Sequence, residues 1–258
     1  IGSIESTMKI HSKTIVGLTM LQTPPGFLPY VVATASVDGG LCAMDVKSGK
    51  KLAELKASSG HICSLTSMCA CDGSLTFGDH EGNAHVVRPS YSGGDVVGFG
   101  SVTHTLQHES PKPTGLHELN AVCWVPSSKS SEQLAQHTTQ LVVGVCTCRK
   151  LFVWRLGNEK PAHVEELRSP CRSLCSRDTA DATGVSMLSG CEDGIIYIWK
   201  VAVHEEKPKL KPIGELHGHN AAVVTLCFAS DGTHVASGGW DCLVILWHLA
   251  SRTMVRVL

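Results

Sequence analysis

The chain repeats itself. The stretch Ser189-Gly-Cys-Glu-Asp-Gly-Ile-Ile-Tyr-Ile-Trp-Lys200 returns 48 residues later as Ser237-Gly-Gly-Trp-Asp-Cys-Leu-Val-Ile-Leu-Trp-His248, so that Ser189, Gly190, Asp193 and Trp199 recur as Ser237, Gly238, Asp241 and Trp247. Self-similarity at a spacing in the 40s marks an array of units that bury their apolar faces on one another, and it constrains the fold before any site is sought.

The second copy shows what each unit is made of. Along a strand, Cys242, Val244 and Leu246 point one way and Leu243, Ile245 and Trp247 the other, with no charge among them. A sheet with one wet face would alternate apolar and polar residues, so an apolar run of this length predicts a strand between two neighbouring sheets. The β-branched content and the turn signals Ser230-Asp231-Gly232 and Gly238-Gly239 argue against a helix.

With the turn Asp as marker, further copies come into view. Val31 to Met44 places Thr34 at the Ser237 position, Asp38 at Asp241 and Met44 at Trp247, and His11 precedes Leu18 as His219 precedes Leu226. Five units are expected, over 11–55, 58–106, 117–165, 169–216 and 218–258. In the second, Glu81-Gly82 takes the turn and Val87 the Trp place; in the third, Gly144 stands for Ser and Cys148 for Asp, with Trp154 retained. Ser90 to Gly115, the run from Pro126 to Glu132, and His204 to Pro212 read as loops from their Gly, Ser, Pro and charge content. Residues 1–10 read as the outer strand of a preceding unit, and the start without Met reads as a piece of a longer array.

Gly218-His219, Ser237, Asp241 and Trp247 together resemble a WD-repeat β-propeller, with Ser189, Asp193 and Trp199 and with His11, Thr34 and Asp38 as weaker sets. The resemblance implies an all-β fold of about five recognisable four-stranded blades, where seven are usual, plus the stray outer strand. It also implies that His, Ser or Thr, Asp and Trp form a buried hydrogen-bonded chain within a blade, which makes these residues structural. Only the fifth unit has the full set. The weaker blades are expected to rely on apolar packing, because a member left without its partner costs about 1–3 kcal/mol.

Composition narrows the function classes. A net charge of −1 and a pI near 7.0 give no electrostatic footprint for nucleic acid or an anionic membrane. Twelve cysteines without a secretory signal are expected to be reduced thiols in an intracellular, cytoplasmic or nuclear, setting. Cys69-x-Cys71, with His61, Cys63 and His80 nearby, Cys146-x-Cys148 and Cys171-x₃-Cys175 lack the paired knuckle spacing of a zinc site, and Ser186 lacks the second Gly of a nucleophile elbow. No enzyme activity, metal or cofactor is therefore expected, and Lys207, Lys209 and Lys211 read as a solvated loop.

What the pattern does point to is docking. Trp240 precedes the turn Asp, which in the WD-repeat family implies the rim of the top face, and an exposed Trp is a typical interface anchor. Val37, His80, Thr147 and Glu192 hold the matching position in the other units, and Asn220 is expected beside Trp240. The sequence reading is a non-enzymatic scaffold that binds a protein or peptide there, with Trp240, Asn220, Glu192, His80 and Val37 as contacts and no small-molecule substrate, nucleic acid or membrane. The alternatives are a substrate receptor of a ubiquitin ligase complex or a component of an RNA-processing complex. The first is weakened because the common docking motif of such receptors has Arg or Lys two residues after the c-strand Trp-Asp, whereas here Trp247 is followed by His248-Leu249 and Trp199 by Lys200-Val201, and the second by the absence of a basic face.

Overall fold

The computed structural model describes residues 9–21, 23, 26, 30–55, 65–71, 74–93, 95–100, 102–107, 117–125, 141–177, 187–202 and 207–258. Most of the predicted outer strand before His11, together with His61, Cys63, the loop opening at Pro126, Ser186 and residues 204–206, lies outside them.

Twenty strands form five four-stranded antiparallel sheets. Blade 1 is β1 (Ile15–Met20), β2 (Val31–Ser36), β3 (Leu41–Asp45) and β4 (Lys51–Leu55). Blade 2 begins with β5 (Leu65–Cys71), β6 (Ser74–Asp79) and β7 (Ala84–Val87), continues through a separate hairpin of β8 (Pro89–Ser92) and β9 (Asp95–Phe99), and ends with β10 (His104–Leu106). Blade 3 is β11 (Leu119–Val125), β12 (Leu141–Cys146), β13 (Lys150–Arg155) and β14 (His163–Glu166). Blade 4 is β15 (Cys171–Ser176), β16 (Met187–Cys191), β17 (Ile196–Ala202) and β18 (Lys209–Leu216), and blade 5 is β19 (Val223–Phe228), β20 (His234–Gly239), β21 (Val244–His248) and β22 (Thr253–Val257).

The sheets are set radially, and the innermost strands β1, β5, β11, β15 and β19 touch in succession. Each carries a register shift at the same place, two residues after its start: Ile15/Gly17, Leu65/Ser67, Leu119/Ala121, Cys171/Ser173 and Val223/Thr225. A bulge adds local twist, so each inner strand is bent at the same level of its blade.

Packing between blades supplies the core. Four apolar clusters each join the trailing face of one blade to the leading face of the next; Leu188, Ile196 and Ile198 of blade 4, for instance, meet Val223, Val235, Ile245 and Trp247 of blade 5. No comparable packing joins β19 to β1 among the described residues. The second strand copy therefore departs from the expectation of two buried faces: Ile245 and Trp247 are buried against blade 4, whereas Val244 is exposed because no sheet covers that side among the described residues, and Cys242, expected on the strand, sits in the preceding turn with a φ of 63°.

Three other expectations are corrected. Lys209 to Pro212, read as part of a charged loop, open strand β18 and pair with β17, with Lys209 and Lys211 exposed on it and Leu210 buried. The segment from Ser90, read as a loop, holds the β8–β9 hairpin, which packs on β4; Val96, with Tyr91 and Phe99, joins the core between blades 1 and 2. The cysteines are not all reduced thiols, for Cys146 is disulfide-bonded to Cys148 and Cys171 to Cys191. The second pair stands directly opposed on β15 and β16, 4.0 Å apart at Cα, and the first brackets the end of β12. Strand register, which local spacing does not reveal, creates the second proximity, and the turn that follows β12 creates the first. Four inner-strand cysteines recur at one level of successive blades: Cys69, Cys123, Cys175 and Cys227. Burial pushes the Cys123 pKa up to about 12, so it behaves as a small apolar side chain rather than a nucleophile.

Candidate functional site

The fifth blade is built around one polar chain. Trp247 Nε1 donates to Ser237 Oγ at 2.7 Å, Ser237 Oγ lies 2.7 Å from His219 Nε2, and His219 Nδ1 lies 2.9 Å from Asp241 Oδ2. A carboxylate only accepts, so His219 donates from Nδ1, and in the neutral ring Nε2 is left to accept from the Ser237 hydroxyl. Every donor then meets an acceptor in a place closed to solvent, since Trp247, Ser237 and the His219 side chain are all buried. Gly239 permits the approach: a Cβ there would fall 2.5 Å from Asp241 Oδ1 and 2.7 Å from His219 Nδ1.

Asp241 turns this chain toward the surface. It accepts from the backbone N–H of Asn220 (2.9 Å) and of Leu243 (3.2 Å), fixing the β20–β21 turn against the start of the blade. Burial works to raise its pKa, but the Asn220, His219 and Leu243 donors outweigh it and hold the carboxyl below its ordinary value.

The other blades carry reduced versions. In blade 1, His11 Nε2 lies 2.9 Å from Thr34 Oγ1 and Nδ1 lies 3.3 Å from Asp38, while Met44 in the Trp place is buried. In blade 4, Trp199 donates to Ser189 at 2.8 Å, but without a His in register Asp193 instead accepts from Tyr197 at 3.2 Å. In blade 3, Gly144 in the Ser place leaves room for the Trp154 ring, whose N–H turns to the Gln107 carbonyl at 3.2 Å. Blade 2 has a pair that the repeat alignment missed: buried Asp79 and His85, 2.8 Å apart, with Thr105 Oγ1 3.4 Å from the other ring nitrogen. The signal was weak, because Asp79 stands two residues before the turn marker and His85 in a strand position that holds Ile245 or Tyr197 elsewhere.

On the rim above these networks, Trp240 is 63% exposed although its backbone N–H is tied to the Ala222 carbonyl at 2.9 Å. The Arg172 guanidinium lies 5.5 Å from the centre of its ring, and Arg172 Nε and Nη2 both meet Glu192 Oε1, at 2.6 and 2.5 Å. Trp240 and Glu192 are thereby joined across the blade 4–blade 5 boundary through Arg172, which sequence reasoning did not single out; being second in an inner strand, it carries no motif signature. Asn220 is exposed at the start of the same blade. Val37 and His80 are half-buried at the matching turns of blades 1 and 2 and take no part in the cluster.

Sheets packed radially, with His, Ser, Asp and Trp linked inside a blade and a side chain displayed above the turn, define a β-propeller of the WD-repeat class. Residues 210–248 match the family described as "WD domain, G-beta repeat", so this stretch carries a WD40 repeat. It is similar to Protein SPIRRIG of Arabidopsis thaliana, 31% identical over 149 residues covering 51% of this chain and 4% of that protein. It is also similar to Small ribosomal subunit protein RACK1 of Caenorhabditis elegans (37% over 74 residues, 28% of this chain and 23% of that protein). A third similarity is to Protein Notchless of Drosophila melanogaster (42% over 52 residues, 20% and 11%). The chain thus spans less than a quarter of the length of each of these relatives. No helix among the described residues is long and apolar enough to cross a membrane.

Proposed function

We propose that this propeller is a non-enzymatic, intracellular scaffold that docks a protein or peptide on the rim around Trp240. The observation that carries the reading is an indole displayed to solvent on a turn fixed from below by the His219–Asp241–Ser237–Trp247 chain and flanked by a guanidinium already held by Glu192. A large aromatic surface that loses little freedom on binding is what an interface anchor requires. Arg172 widens that surface, and Glu192 limits its net charge, which favours a partner that covers the ring with an apolar group over one drawn by charge alone. One relative is named as a small ribosomal subunit protein, a component of an assembly, which agrees with a role in holding other macromolecules.

Affinity capture with the intact chain and with Trp240→Ala tests this. Proteins recovered by the parent and lost from the variant support the rim as the docking site; identical recoveries remove Trp240 from it. Capture of RNA at moderate salt by both forms would favour the RNA-processing reading instead.

A further inference from the structure

The two end blades leave matching halves of one interface uncovered. At each internal junction the trailing face is built from equivalent positions of the second and third strands: Leu41 in blade 1, Ala84 in blade 2, Leu151 in blade 3 and Ile196 in blade 4, each fully buried by the next blade. The equivalent residue of blade 5 is Val244, paired with Gly238 as Ile196 is with Gly190, and it is 45% exposed.

The polar part of the junction repeats as well. Ser67 Oγ donates to the Leu119 carbonyl at 3.4 Å and Ser173 Oγ to the Val223 carbonyl at 3.0 Å, so the hydroxyl just after the bulge of one inner strand meets the first carbonyl of the next. Thr225 holds that position in blade 5 and is exposed, as is Cys227 beyond it.

Blade 1 presents the opposite half. On its leading face Ile15, Leu18 and Met20 correspond in register to Val223, Leu226 and Phe228, which pack against blade 4. All three are exposed, Leu18 to 68%. Among the described residues these halves do not pack on one another, since β1 and β19 lack the packing that joins the other inner strands. Contiguous apolar surface of this kind marks an association site.

We propose that blade 5 of one copy of this chain packs on blade 1 of a second copy, head to tail, reproducing the internal blade junction with Val244 and Leu246 against Leu18 and Met20 and with the Thr225 hydroxyl turned to the Ile15 end of the partner strand. The occupant is a second copy because the chain itself carries the complementary half, with the residue kinds and register its own junctions use. Such an interface is heterologous, so each copy offers one half and accepts the other.

Size-exclusion chromatography with light scattering, across a broad concentration range, tests the pairing. The parent chain is expected to gain mass with concentration, whereas Val244→Glu and Leu18→Glu alone remain monomeric. Mixed together, the two variants are expected to form a dimer of twice the monomer mass and nothing larger, because each retains one intact half. As both positions are solvent-exposed, circular dichroism should be unchanged in each variant. Maleimide labelling of Cys227 gives a second reading: slow in the associated parent and fast in Leu18→Glu, whose fifth blade is intact but uncovered. A parent that stays monomeric throughout, a variant that associates like the parent, or a mixture that yields no dimer overturns the proposal.

Discussion

Replacing Ser237 with Ala removes the one atom through which Trp247 and His219 communicate. Ser237 Oγ sits 2.7 Å from both the indole N–H and His219 Nε2, and all three groups are buried, so no water replaces it. Two buried polar atoms lose their partner, each at about 1–3 kcal/mol, which gives a local loss of about 2–6 kcal/mol. Blade 4 supplies the internal control. Ser189 Oγ serves Trp199 Nε1 at 2.8 Å, and with no His in register Ser189→Ala orphans one group, for a loss of about 1–3 kcal/mol. Because blades of a repeat fold can open separately, hydrogen exchange read peptide by peptide is the assay suited to the comparison. Amides of β20 and β21 should lose protection in Ser237→Ala by about twice the free energy that β16 and β17 lose in Ser189→Ala. Equal losses, or a larger one in blade 4, would refute the idea that the number of orphaned buried partners sets the cost.

Three further outcomes are expected. Burial pushes the Asp79 pKa up, but His85 and Asn83 outweigh it and leave the folded value below the unfolded one near 3.9, so the stabilisation is fully present above about pH 4 and is lost as pH falls through the folded value. The urea midpoint of the parent should therefore drop on acidification below about pH 4, and Asp79→Asn should flatten that dependence. Gly144→Ala places a Cβ 2.9 Å from the Trp154 ring and 3.2 Å from Leu119, an overpacking worth about 1–3 kcal/mol, visible as a lowered thermal midpoint. Arg172→Ala, at a half-exposed rim position, should change stability by no more than about 0.5 kcal/mol yet reduce capture of the proteins that depend on Trp240; unchanged capture would separate Arg172 from the docking surface.

Much of the architecture was legible because it is periodic. The strands around Ile196 and Val244 are apolar on both sides, the turn markers recur, and a sheet of that kind has few places to go other than between two like sheets. The polar chain could be read for a chemical reason, since His, Ser, Asp and Trp have complementary donor and acceptor capacities, and the positions named for it lie within hydrogen-bond distance in blade 5 and, less completely, in blades 1 and 4. Where one member changed, the outcome was not readable: Gly144 sends Trp154 to a backbone carbonyl, and blade 2 substitutes Asp79 and His85 at positions no alignment of the copies would pair.

The sequence by itself determined the blade, because strand periodicity, turn chemistry and the hydrogen-bonding capacity of four side chains are properties of short stretches. Only the tertiary structure decided what lies against what: the disulfide between opposed Cys171 and Cys191, the bridge from Glu192 through Arg172 to Trp240, and the fact that Ile196 is buried while its counterpart Val244 faces water. Those outcomes depend on register and on the presence or absence of a neighbouring sheet, which are relations between segments far apart in the chain and leave no local trace in either one.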